Sequence, residues 1–127
     1  MKLKQIAAFL AVTVVFAIAD SKGAQKPVSV TGYILDSACA YTKNLDKPIS
    51  ADCAKKCAAN GSPLVLLTAD GTVYLPISNE TPAKGQNEKV LPFAGQRVTV
   101  SGKVFDRAGA KAIVINKIAA AAEARKQ

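Results

Sequence analysis

Three cysteines are the residues in this 127-residue chain whose type and spacing point to specific chemistry. Cys53 and Cys57 stand four residues apart in the stretch CAKKCAANGSP, and Cys39 precedes them. A spacing of four puts two side chains on one face of a helix, but pointing along it rather than at each other, so a Cys53–Cys57 disulfide would strain the helix. Cys39 is therefore a partner in any disulfide. Cys53 falls in the first helical turn, where the helix dipole favours an exposed thiolate, whereas Cys57 lies one turn further in beside Ala54 and Ala58. The expected pairing is Cys39 with Cys57, leaving Cys53 a free thiol. Closing that loop of about 19 residues would stabilise the chain by about 3 kcal/mol in the chain-entropy model.

Two other chemistries compete. Cys39, Cys53 and Cys57 could converge as three soft thiolates on copper, as Cu(I), or on another thiophilic metal, while zinc would need a fourth ligand such as Asp36 or Asp52. A thiol redox protein is the third reading, because Lys55 and Lys56 flank Cys53 and would favour its thiolate. The chain has no histidine, which excludes Cys–His and Ser–His nucleophile activation, and it has no phosphate-cradling glycine loop. Asp36 and Asp106 close two similar strands and read as turn formers, not as a catalytic carboxylate pair.

The elements that must position the cysteines are mostly strands. VSVTGYILD alternates apolar and polar residues with period two, and RVTVSGKVFD repeats it as V-[ST]-V-[ST]-G-x-[IV]-[LF]-D. A glycine weakens a strand interior unless the backbone must bend or bulge, so Gly32 and Gly102 are read as structural corners of a small closed barrel. PLVLLT and TVYLPI, joined by an Asp70-Gly71 turn, form a hairpin, and AKAIVINKI makes a fifth strand after DRAG. Residues 79–96 are irregular, with a helical turn or two around Val90, Leu91 and Phe93 that Pro92 keeps short. The expected fold is mainly β: a five-stranded, OB-like Greek-key barrel over residues 28–118. A short cysteine-bearing helix, 51–59, is inserted between strands one and two, capped by Ser50 and ended at Asn60-Gly61, with Lys55 and Lys56 outward. Residues 119–127 are expected to be an alanine-rich tail of high helix propensity that frays for want of bulky apolar residues.

Lys2 and Lys4 precede an apolar run, Ile6 to Ile18, followed by the small residues of Ala17-Ile18-Ala19, which reads as a signal peptide over 1–19. Its apolar core is too short for a permanent membrane anchor. Cleavage after Ala19, with Ala24 the second candidate, would leave 108 residues with 15 basic and 9 acidic side chains and a flexible lead-in over 20–27. One small periplasmic or secreted domain is expected. Its lysines are scattered singly and not interleaved with aromatic residues, so the positive charge reads as a solvated surface and not as a nucleic-acid site.

GYILDSAC, then DCAKKCAANGSPLVLLTADGTVYL, then LPFAGQRVTVSGKV resemble a family of small exported, largely uncharacterised bacterial domains with an OB-like barrel. The shared pattern, D-x-x-C then C-x-x-x-C-x-x-x-G-x-P, is carried by Asp36, Cys39, Cys53, Cys57, Gly61 and Pro63. Members often have a histidine just before the helix; its absence here counts against a Cys/His metal site. The resulting expectation is a monomeric exported binding or structural module without a cofactor, not an enzyme. Its ligand would be a small molecule or an envelope component, met near the loop between strands one and two as in other OB barrels.

Overall fold

The computed structural model describes residues 26–46 and 49–122. The expected signal peptide over 1–19, residues 20–25 of the expected lead-in, residues 47–48 and residues 123–127 lie outside them. Among the described residues no helix is long and apolar enough to cross a membrane. The elements run β1 (Val28–Asp36), α1 (Ser37–Lys43), α2 (Ala51–Ala59), β2 (Leu64–Leu67), β3 (Val73–Pro76), α3 (Asn87–Val90), a 3-10 turn (Leu91–Phe93), β4 (Arg97–Arg107) and β5 (Ala110–Ala120). The strands close into a barrel in the order β1-β2-β3-β5-β4, with β3 and β5 parallel and every other pair antiparallel. That is the expected OB-like Greek key.

The sequence repeat explains the seam between the long strands. Val30 pairs with Val100, Val28 with Gly102 and Gly32 with Val98, so the two copies of V-[ST]-V-[ST]-G pair with each other about a local two-fold axis. Thr31 and Thr99 face each other there with hydroxyls 3.0 Å apart. Both glycines sit where one strand changes partner or register. Residues up to Tyr33 of β1 pair with β4 and those from Tyr33 onward with β2, and a side-chain carbon on Gly32 would lie 2.4 Å from the Leu67 carbonyl oxygen. Gly102 marks the register shift in the β4–β5 ladder. At both positions another backbone occupies the space a Cβ would need.

The run Leu64–Leu67 is buried along its whole length because both faces are covered. Leu64 and Leu66 point into the barrel with Ile34, Val98, Val100 and Ile113. Val65 and Leu67 face outward into a second cluster with Leu35 and Ala40, flanked by Tyr33, Leu45, Ile49 and Val73. Helix α1, which the sequence pattern does not announce, is the lid of that outer cluster. Its signal was Asp36, whose carboxylate accepts from the backbone N–H groups of Cys39 (2.7 Å) and Ala38 (3.3 Å) as an N-cap.

The tail expectation is corrected at its start. Ala119 and Ala120 belong to β5 and pair with Thr99 and Val98, and Ala121 donates to the Arg97 carbonyl at 2.9 Å. The N-terminal half of β4 offers backbone partners there, and a ladder outweighs the few tenths of a kcal/mol per residue by which alanine prefers a helix. The irregular stretch is pinned by Asn87, whose side-chain amide accepts from Leu64 N and donates to Ser62 O, each at 2.8 Å.

Candidate functional site

The cysteines are positioned by the two helices that follow β1. Helix α2 spans the expected residues, with the Ser50 hydroxyl accepting from Cys53 N at 3.2 Å, and it ends at Gly61, whose φ of 90° needs no Cβ. Its inward face centres on Ala54, which is 3% exposed, with Ala58 and Cys57 half-buried beside it. Cys53 is exposed at the rim. Cys39 is half-buried in the middle of α1 and not in a loop.

Between α1, the start of α2 and the end of β1 lies a cleft of about 290 Å³. Leu35, Ile49 and Ala54 form apolar wall, and Asp36, Cys39 and Cys53 bring polar groups to it. Lys43 also lines it, and Cys57 stands one turn along α2, outside the lining. Cys53 and Cys57 stand four residues apart on the same helix, α2.

All three cysteines are free thiols in this structure. Among the described residues no group of three or more His, Cys, Asp or Glu side chains is placed to hold a metal ion. Asp36 joins the thiols in place of a further cysteine. It is 3% exposed and takes a 2.5 Å hydrogen bond from the Ser62 hydroxyl besides its two backbone donors. Asp52, the other carboxylate offered as a ligand, is exposed on the first turn of α2. Asp106 serves the β4–β5 turn, accepting from Gly109 N at 2.9 Å and pairing with Lys111.

Electrostatics set the state of the thiols. The hydrogen bond to the Asp36 carboxylate, then burial, then the charges of Asp36, Cys53 and Cys57 push the Cys39 thiol up to about 11. Burial, the Asp36 carboxylate and Cys53 push Cys57 up as well. Both thiols therefore stay protonated at neutral pH, which makes neither a ready nucleophile. Burial tends to raise the Asp36 carboxyl, but the Ser62 hydroxyl, the Cys39 thiol and the two backbone N–H groups outweigh it and hold it below the ordinary carboxylate value.

A group held low in the folded state contributes stability above its unfolded pKa, near 3.8, and loses it as the pH falls through the folded value. The melting temperature is expected to fall below about pH 4. Asp70, held low chiefly by the Thr68 hydroxyl, and Asp106, held low chiefly by Lys111, titrate in the same acid window. Asp36→Ala is expected to remove its share of that fall and to cost about 1–2 kcal/mol at neutral pH, the worth of an N-cap with an orphaned hydroxyl added. Hydrogen exchange at the Ala38 and Cys39 amides should rise with it; unchanged exchange there would show that α1 does not depend on this cap.

Fold and site together define an OB-like barrel carrying a thiol-lined helical lobe. No protein-family profile, curated protein or solved structure matches the chain.

Proposed function

We propose that this protein is an exported, monomeric binding module of the periplasm or the secreted fraction. The barrel is the scaffold, and the α1–α2 lobe receives a small ligand or a segment of an envelope component without chemical turnover. The observation that carries this is the cleft of about 290 Å³, whose largely apolar wall converges with Asp36, Cys39 and Cys53. Its volume sits at the lower edge of the roughly 300–1,000 Å³ typical of ligand clefts, and a few polar groups on an apolar wall are what fix a ligand's orientation. The test uses an apolar anionic dye, anilinonaphthalene sulfonate, followed by amide NMR. Shifts are expected at Leu35, Ile49 and Ala54. Cys53→Trp, which adds bulk at an exposed position of the wall, is expected to weaken the dye at least tenfold. Shifts confined to the far side of the barrel, or a dye indifferent to Cys53→Trp, would overturn the reading.

The same reading keeps a covalent tie between Cys39 and α2 in the oxidised protein, with Cys57 the partner. The support is that Cys57 is half-buried while Cys53 is exposed. Alkylation of the unreduced protein, followed by fragment masses, is expected to find the label on Cys53 alone. A label on Cys57 alone would move the bond to Cys53, and label on all three would remove it.

A further inference from the structure

We propose that in the reduced protein Cys53 and Cys57 form a two-coordinate site for a soft monovalent cation of the d10 class, Cu(I) or Ag(I). The inference rests on reading the α1–α2 lobe as the working site, and it names the ligand class.

Spacing decides between the two things a pair of helical cysteines can do. Cβ atoms at i and i+4 on one helix face are about 5–6 Å apart. A disulfide needs Cβ atoms at about 3.5–4.5 Å, so direct oxidation of this pair would distort α2. A thiolate–metal bond is about 2.3 Å long, so an ion bridging two thiolates asks for sulfurs roughly 4–5 Å apart, which the undistorted helix supplies. Cys53 and Cys57 stand at i and i+4 on the α-helix Ala51–Ala59, and Cys53 is exposed, which gives the ion its entry path. Thiolate ligands select soft ions.

The third cysteine is held back. Cys39 sits on a different element, α1, where its backbone N–H is held by the Asp36 carboxylate that caps that helix. No trio of ligands is assembled among the described residues, so a tetrahedral zinc site has nothing to complete it. Binding exchanges two thiol protons for one monovalent ion: two S–H bonds break, two S–metal bonds form, both protons leave to solvent, and no electron moves. The resulting bis-thiolate carries one negative charge. Asp36 opposes that charge, and Lys55 and Lys56, exposed on α2 between the two ligands, offset it together with Lys43 on the cleft wall.

The ion and the Cys39–Cys57 disulfide compete for the Cys57 sulfur, so the test is run on the reduced full chain without oxygen. Ag(I) is followed by native mass spectrometry, and Cu(I) by competition with a chromogenic chelator. One ion per chain is expected, with Cys53→Ser and Cys57→Ser each weakening it at least a hundredfold and Cys39→Ser less than tenfold. Zn(II) should not compete. An unaltered melting temperature in the Cys53→Ser variant shows that its loss is not unfolding, and the exposed position makes that the expected result. The proposal is overturned if the ion persists undiminished in Cys53→Ser, if Cys39→Ser costs as much as the other two, or if Zn(II) binds equally well. Dye binding in the cleft separates the two readings: a dye that still binds where the ions do not removes the ion site and leaves the binding module standing.

Discussion

Gly102→Val is expected to lower stability by about 3 kcal/mol or more, which for a domain of this size is a fall of roughly 12–24 °C in melting temperature. Its Cβ would lie 2.1 Å from the Val114 carbonyl oxygen and 3.0 Å from the carbonyl carbon. Both atoms belong to the neighbouring strand at the point where the β4–β5 register shifts, so relief requires moving the backbone of a closed barrel. A flexible side chain could swing aside, whereas a ladder strand cannot. The clash comes from the first side-chain carbon, so Gly102→Ala should already show most of the loss. That reverses the usual gain of about 0.4–1 kcal/mol when glycine is replaced at a compatible site. Gly85→Ala is the control, because nothing lies within 4 Å of its added carbon, and it should change stability by less than about 0.5 kcal/mol. Thermal unfolding of the three variants checks this. An unchanged or raised melting temperature in Gly102→Val would remove the barrel-corner role.

Leu66→Ala is expected to cost about 2–5 kcal/mol, a large fraction of the 5–15 kcal/mol that keeps a small domain folded. Leu66 is fully buried in the middle of β2, opposite Ile34 and Tyr74, and fills the barrel interior with Val98, Val100 and Ile113. A closed barrel cannot collapse onto the gap. Its neighbour Val65 points the other way, into the cluster beneath α1. Val65→Ala should therefore cost less and act on the lobe, raising hydrogen exchange in α1 more than in the strands. Denaturant unfolding with residue-level exchange distinguishes the two. Equal losses spread over both regions would show that the inner and outer clusters are one cooperative core.

How far the sequence carried each element depended on whether its signal was local. Helix α2 was legible to its ends because Ser50, the alanines and Asn60-Gly61 are cap, interior and stop in sequence. Helix α1 was not, because seven residues are too few for a periodic pattern and its cap residue, Asp36, also closes a strand. The continuation of β5 through Ala119 and Ala120 was hidden for the opposite reason. Alanine's local preference is helical, and only the partners offered by Val98 and Thr99 make it strand.

By itself the sequence determined the barrel. A period-two pattern in two copies, turn residues between the strands and a glycine in each long strand admit few other arrangements, whereas the pairing of the two copies with each other is seen only in the structure. The candidate site was determined only in part. Its three thiols and the helix bearing two of them are sequence facts, but which sulfur meets which group is set by elements far apart in the chain. Tertiary structure placed Asp36 against Cys39, turned α2 so that Ala54 packs inward and Cys53 stands at the rim, and opened the cleft between the two helices. A helix face is periodic and can be read from spacing, whereas its rotation about its own axis is decided by what it packs against, and that contact exists only once the barrel has closed.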